Sequence, residues 1–316
     1  MTERQKGWLA LAVMLAVWCT PTLFVKYLMP YYDPFTQNFL RYASSSVFML
    51  PLMFWLVRRE GGNGRYRGKP RWRPLVAPAL INALYQTAWV TSQRWLEPAF
   101  TSFLNKSSVL FAAAMAYAVF PEERPLFRSR HFRAGVVLCV IGTIGLSLLR
   151  PDLGVMTINT AVLLALFSAS LWAAYSVVVK KIMPESSPTI SFAIVSVVST
   201  AALAVPAAGW GDLGGWNRAP WQVNLVLVVS GLLCIGLGHT LYYYALKALG
   251  VSVCATLLLL TPLGTLALSR WLYGEQMTPG QIISGVVLLA GGALTVWAKE
   301  RPASLAVAGA AEAADA

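Results

Sequence analysis

Ten long apolar runs dominate the chain, and short segments carrying most of its charged residues separate them. A helix that crosses a bilayer needs about 20 consecutive, mostly apolar residues. The runs are continuous rather than alternating, so they favour membrane helices over barrel strands. The pattern therefore predicts an all-α polytopic membrane protein with ten transmembrane helices. The runs lie near residues 7–28, 34–57, 75–95, 99–120, 132–149, 157–179, 189–209, 222–246, 251–273 and 278–298.

The composition agrees with a membrane protein, since 57% of the residues are hydrophobic and only 12% are charged. Soluble domains carry about 25% charged residues. The net charge of +12 is also typical of nucleic-acid binding, but the basic residues gather in short loops, which argues against a nucleic-acid partner. The four cysteines lie inside apolar runs without metal-ligand spacing, so we expect neither a metal nor a cofactor.

The distribution of Lys and Arg predicts the orientation of the chain. With the amino terminus inside, 18 of these residues fall in inner segments and 3 in outer segments. Positive charge concentrates on the cytoplasmic side of membrane proteins. We therefore expect a multi-pass protein of the cell membrane with both ends in the cytoplasm. Arg outnumbers Lys 17 to 8, which favours a GC-rich bacterial genome and hence the bacterial inner membrane.

An internal repeat is indicated by matching residues at nearly one displacement. Trp18 matches Trp172 with a displacement of 154, and Glu122 matches Glu275 with a displacement of 153. Such matches predict a duplicated five-helix unit. Five is odd, so the second copy enters the membrane from the opposite side, as in transporters built from inverted repeats. The predicted units are residues 1–150 and 151–300, and a disordered cytoplasmic tail follows over residues 301–316.

Several short motifs resemble the EamA-type, ten-helix members of the drug/metabolite transporter superfamily. That family carries a Trp and a Lys in helices one and six, an Arg early in helix two, and a Leu-rich stretch, a Pro and a closing Gly-Glu in helix nine. The matching residues here are Trp18 and Lys26, Trp172 and Lys180, Arg41, Leu257 to Pro262, and Gly274 with Glu275.

The resemblance covers about residues 7–298 and implies ten helices, a central cavity and transport of metabolites or drug-like compounds. The fourth run departs from the family pattern. Residues Asn105 to Val109 stand where a proline segment is expected, and Pro121-Glu122 replaces Gly-Glu. The resemblance therefore does not imply a particular substrate.

Two cations, Lys106 and Arg41, lie about eight residues into the fourth and second predicted helices, at similar depth. A charge at the bilayer centre costs at least about 2.5–3.5 kcal/mol on insertion scales. The predicted helices contain no carboxylate at that depth, so the two cations predict a cavity that receives an anionic group of the substrate. The alternatives are that Lys106 snorkels to the interface and that Arg41 bonds backbone carbonyls between helices.

Further residues are candidates for binding the neutral part of the substrate. Asn38 and Asn105 flank the two cations, and Tyr85 and Trp89 lie on a polar and aromatic face of the third helix. Trp18 and Trp172 are either substrate contacts or helix-packing residues. His239 either titrates near neutral pH or packs in the core. The predicted substrate-binding set is Lys106, Arg41, Asn38, Asn105, Trp89, Tyr85, Trp18, Trp172 and His239.

These patterns predict a secondary transporter that exports a small metabolite or drug-like compound by alternating access. The chain has no phosphate-binding loop for ATP and no catalytic motif, so we expect no enzymatic activity. Two alternatives stay open: a nucleotide-sugar exchanger, and a membrane sensor or partner protein that does not transport. The expected partners are a small-molecule substrate and the lipid bilayer, and a homodimer is a further alternative.

Overall fold

The structure is a computed structural model that describes residues 1–62, 72–148, 160–182, 188–249 and 251–314. The side chains of Glu122 and Lys180, which belong to the predicted repeat and family motifs, lie outside the described residues. A short 3₁₀ segment follows α6 at Pro121–Arg128, and a π segment lies between α11 and α12 at Gly231–Leu237. The helices are α1 (Glu3–Trp18), α2 (Pro21–Leu28), α3 (Pro34–Gly62), α4 (Arg73–Ser92), α5 (Pro98–Asn105), α6 (Ser108–Val119), α7 (Arg130–Leu148), α8 (Thr160–Ile182), α9 (Pro188–Trp210), α10 (Gly215–Arg218), α11 (Trp221–Ser230), α12 (Gly238–Leu249), α13 (Val251–Leu258), α14 (Thr261–Tyr273) and α15 (Pro279–Ala314).

Apart from short interruptions, the predicted apolar runs are helical where the structure describes them, which confirms an all-helical polytopic protein. Within the described residues, seven stretches are long and apolar enough to cross a membrane. The predicted runs 34–57, 75–95 and 99–120 are outside that set, and they carry many of the buried polar side chains. The count of ten spans therefore stays a prediction. α15 continues to Ala314 and so includes most of the tail that the sequence predicts to be disordered.

Four of the predicted spans are interrupted. α1 gives way to α2 at Cys19, and α13 gives way to α14 at Leu259; Pro21 and Pro262 stand in the first turn of the helices that follow. Proline suits the first turn of a helix and prevents the preceding helix from continuing. α5 gives way to α6 at Lys106 without a proline, and the π segment interrupts the path from α11 to α12.

α7 and α15 pack closely against each other. A Cβ added to Gly142 would lie 2.7 Å from the Leu288 Cα, and one added to Gly291 would lie 2.6 Å from the Cys139 amide nitrogen. Glycine at these positions lets the two backbones approach closely, as is common between membrane helices. The opposite face of α7, which includes Ile141, is exposed and apolar. We infer that α7 borders the lipid.

The other main pairings each join the first half of the chain to the second. α1 packs on α12, α3 on α9, α4 on α8 and α5 on α14. The first and second halves of the chain therefore pack against each other. A site at the centre of the bundle draws residues from both halves.

Candidate functional site

The π segment and α14 both contact the break between α1 and α2. Trp18 Nε1 donates a hydrogen bond to the Cys234 carbonyl at 3.1 Å, and Thr20 Oγ1 lies 3.6 Å from Cys234 Sγ in the π segment. Thr265 of α14 donates from Oγ1 to the Cys19 carbonyl at 2.9 Å. Irregular backbone at membrane depth is tolerated where it is buried in protein or lines a water-filled cavity. This convergence marks the centre of the candidate site.

The break between α5 and α6, at Lys106, lies in the same region. Its side chain is half-buried, and its ammonium lies within electrostatic range of the Cys19 sulfur. Within the described part of the chain, the ammonium has no ion pair and no hydrogen bond. A partly accessible cation without a protein counter-charge attracts an anionic ligand.

Arg41 has a different environment, because only 2% of its surface is exposed. Its Nε donates to Ser230 Oγ at 3.0 Å, and its guanidinium interacts with the Cys234 thiol. The Arg41 carbonyl lies so close to Gly231 that a side chain there would overlap it. These contacts hold α3 against the end of α11 and the π segment. A substrate could reach the guanidinium only if these helices separated.

The two cations thus flank the same helix break but lie near different residues. Arg41 interacts with Cys234, which contacts Thr20, whereas Lys106 interacts with Cys19. The sequence predicts a joint cationic site at one depth. The structure brings both residues to one region, and of the two only Lys106 is partly accessible.

An aromatic cluster of Tyr85, Trp89 and Trp172 lies next to Lys106. Asn105 Nδ2 donates to the Tyr85 hydroxyl at 3.4 Å, and the ring centroid of Tyr85 lies 5.2 Å from Trp172 and 6.3 Å from Trp89. Trp89 Nε1 and Asn105 Oδ1 are buried and have no hydrogen-bond partner among the described residues. A buried polar atom without a partner costs about 1–3 kcal/mol, so both atoms would gain from a ligand or water.

Asn38 is completely buried, one helical turn before Arg41 on α3. Neither end of its amide has a hydrogen-bond partner in the described residues, and the same holds for Ser45 Oγ, one turn after Arg41. Residues three and four apart on a helix lie on one face. Asn38 therefore belongs to the buried polar face around Arg41, away from direct access.

Trp18 and His239 pack together beside the π segment. The His239 ring stacks on Phe192 with centroids 4.4 Å apart, and it meets the edge of Trp18 at 5.0 Å. His239 Nδ1 lies 3.0 Å from the Ile235 carbonyl. These contacts favour the packing interpretation of both residues, and they stabilise the wall of the site.

Lys26 is part of an ion pair that the sequence did not suggest. A lysine near the end of an apolar run is expected to extend its ammonium to the membrane surface. In the structure the Lys26 ammonium lies 2.9 Å from both carboxylate oxygens of Glu97. Glu97 directly precedes α5. The pair therefore ties the start of α5 to α2.

Glu275 is a second carboxylate, and in the sequence it is both a repeat match and part of the closing Gly-Glu of helix nine. It is 7% exposed, and it accepts hydrogen bonds from the backbone amides of Ala99 at 2.9 Å and Phe100 at 3.1 Å. The Ser269 hydroxyl donates to it as well. Pro98 in the first turn of α5 was the available signal, because a helix start leaves amides that need acceptors. The acceptor itself could not be found locally.

Comparison with known proteins agrees with this architecture. The model of the EamA-like transporter family matches residues 5–148 and 159–297. The chain belongs to this family. It is therefore a multi-pass membrane protein of a transporter family, as the sequence motifs predict.

Two individual proteins illustrate the likeness. An uncharacterized transporter of Archaeoglobus fulgidus is 24% identical over 292 residues, which cover 92% of this chain and 97% of that protein. A protein solved by crystallography shares 16% identity with a TM-score of 0.62, over 94% of this chain and 98% of that one. The second likeness concerns the fold alone.

Proposed function

We propose that this protein is a secondary transporter that exports a small metabolite or drug-like compound bearing a carboxylate or phosphate, by alternating access. The observation that carries the proposal is Lys106. It is a partly accessible cation at a helix break, without a described counter-charge, where interrupted helices from both halves meet. We propose the bacterial inner membrane as its location, with both ends cytoplasmic; the distribution of 18 inner against 3 outer basic residues supports this orientation.

Alternating access needs two halves that can exchange roles, and we propose the inverted five-helix units 1–150 and 151–300. The interrupted helices support a repeat. α5 spans Pro98–Asn105 and α13 spans Val251–Leu258, so both ends differ by 153 residues, as the sequence motifs do. The family model also matches each half separately. Inverted repeats place a substrate site at their interface near the bilayer midplane.

In the proposed binding mode, the Lys106 ammonium donates charge-assisted hydrogen bonds to the anionic group. Trp89 Nε1 and Asn105 Oδ1 supply one donor and one acceptor for the neutral part, next to the rings of Tyr85 and Trp172. Arg41 acts indirectly by holding α3 on the π segment. This assignment accounts for the unpaired ammonium and for the two unpaired polar atoms together.

The test is release of anionic metabolites from proteoliposomes loaded with a cell extract, with mass spectrometry of the external buffer. Lys106→Met should lower release of the transported anion by roughly 10-fold or more, because hydrogen bonds to charged groups contribute about 1.5–3 kcal/mol. Lys106→Arg should retain part of the activity. Leu259→Met changes the matching position of the second half, and it should behave like the wild type.

Two results would contradict the proposal. Release by Lys106→Met at the wild-type rate would leave a snorkelling lysine as the better account. Wild-type vesicles that release no anionic compound beyond empty liposomes would favour a membrane protein without export activity.

A further inference from the structure

The start of α5 is capped by a residue from a distant part of the chain. The first amides of a helix have no acceptor within the helix, and the residue before the helix usually supplies one. Glu97 occupies that position but makes no capping hydrogen bond, because its carboxylate pairs with Lys26. Glu275 instead accepts from the amides of Ala99 and Phe100.

The same hydrogen bonds also stabilise a carboxylate that is buried in the protein. Glu275 is almost completely buried, and it has no cationic partner among the described residues. Two backbone amides, the Ser269 hydroxyl and the positive end of the α5 dipole supply the stabilisation that an ion pair would otherwise give. The contact is therefore specific for a negatively charged acceptor at the end of α14.

α5 connects this carboxylate to the candidate site. The helix has 8 residues and is about 12 Å long, and Lys106 follows its last residue. At Lys106 the helix ends in a tight turn, in which the Lys106 amide donates to the Phe103 carbonyl at 2.9 Å. α5 is thus a short rigid rod, held at one end by Glu275 and bearing the cation at the other.

We propose that Glu275 is a positioning residue that latches α5 to α14 and so sets the position of Lys106. The latch joins the two halves of the chain on the side predicted to be external. While it is closed, α5 packs against α14 and covers the approach to Lys106. Release of the Ala99 and Phe100 amides lets α5 tilt about the turn at Lys106 and opens that approach. The functional part of this inference rests on the proposed transport role of Lys106.

Cys19 offers a native reporter for the latch. It is half-buried beside Lys106, whereas Cys139, Cys234 and Cys254 are buried. Intact cells producing each variant are treated with a membrane-impermeant, negatively charged thiosulfonate, and modification of each cysteine is measured by mass spectrometry. No substrate is needed for this measurement.

Glu275→Gln replaces one acceptor oxygen with an NH2 group. This donor would lie opposite a backbone N–H, which is also a donor, so one hydrogen bond to α5 is lost. We expect at least a ten-fold faster modification of Cys19. Ser269→Ala leaves the charge in place and removes one donor, so a smaller increase is expected. Glu275→Asp keeps the charge and should return the rate part of the way toward the wild type. Glu97→Gln is the matched control, because it breaks the tie to α2 but leaves the α5 amides capped, and it should change the rate less than three-fold.

The latch is refuted if Cys19 of the Glu275→Gln variant is modified at the wild-type rate. It is also refuted if all four cysteines of that variant become reactive together, because this would indicate loss of the fold. Should Glu275→Gln not accumulate, Ser269→Ala decides: an unchanged Cys19 rate contradicts the latch. A result that refutes the latch would not affect the transport measurement on Lys106→Met, so the two proposals can fail separately.

Discussion

The breaks after α5 and after α13 share a backbone hydrogen-bond pattern but carry different side chains. Both consist of hydrogen bonds from an amide to the carbonyl three residues earlier, and three of the four bonds in the first break have a counterpart 153 residues away in the second. The matching pairs are Lys106 to Phe103 with Leu259 to Thr256, Ser107 to Leu104 with Leu260 to Leu257, and Leu110 to Ser107 with Leu263 to Leu260.

The side chains show where the halves differ. Lys106 is a half-buried cation, whereas its counterpart Leu259 is buried and apolar. Val109 donates its amide to the Lys106 carbonyl at 3.1 Å, whereas its counterpart Pro262 has no amide proton. The break therefore does not depend on proline, and the candidate chemistry lies on one of the two breaks only.

The largest expected effect comes from proline at two positions near the first break. Val109→Pro copies the second break and removes one hydrogen bond, so it should lower the free energy of unfolding by about 1 kcal/mol. Ala113→Pro lies inside α6 and should lower it by about 3 kcal/mol or more. Thermal unfolding in one detergent measures both. Equal losses would show that the first break does not share the proline-tolerant geometry of the second.

A smaller effect is expected when the side chains of the two breaks are exchanged. Leu259→Lys puts a cation at a position that is 6% exposed, and it should lower stability by about 2.5 kcal/mol. Lys106→Leu removes a cation that has no described partner, so stability should be unchanged or increased while anion transport is lost. A stable Leu259→Lys protein, or an unstable Lys106→Leu protein, would contradict the difference in environment between the breaks.

The smallest effect is expected for Pro262→Val. The new amide can form the hydrogen bond that Val109 forms in the first break, so the change in stability should stay below about 1 kcal/mol. Transport in proteoliposomes should be close to that of the wild type. A transport defect as large as that of Lys106→Met would instead make Pro262 a functional hinge and would place chemistry on both breaks.

Much of the fold could be predicted from the sequence because the information is local. Apolar runs of membrane length indicate helices, and a proline such as Pro262 marks an interruption. The fourth run has no proline at Asn105 to Val109, where the family pattern expects a proline segment, so nothing local marks an interruption there. In the structure the break is present at Lys106, and Ser107 Oγ donates to the Leu104 carbonyl at 2.7 Å. The turn is held by packing and hydrogen bonds, neither of which has a strong sequence pattern.

The candidate site, too, could be predicted only in part from the sequence. Lys106 and Arg41 are recognisable from the sequence, because charges are rare within apolar runs. Their different roles depend on what each meets in space: Ser230, 189 residues away, binds Arg41, and no described residue pairs with the Lys106 ammonium.

The sequence by itself determined the helical, multi-pass character of this protein, its family and the rare polar residues within its apolar runs. Each follows from the chemistry of single residues and their near neighbours. The tertiary structure decided which cation is accessible, that Lys26 pairs with Glu97, and that Glu275 caps α5. The Glu275 contact joins residues 176 positions apart, and a partner at that distance is chosen by the packing of helices, which no local pattern records.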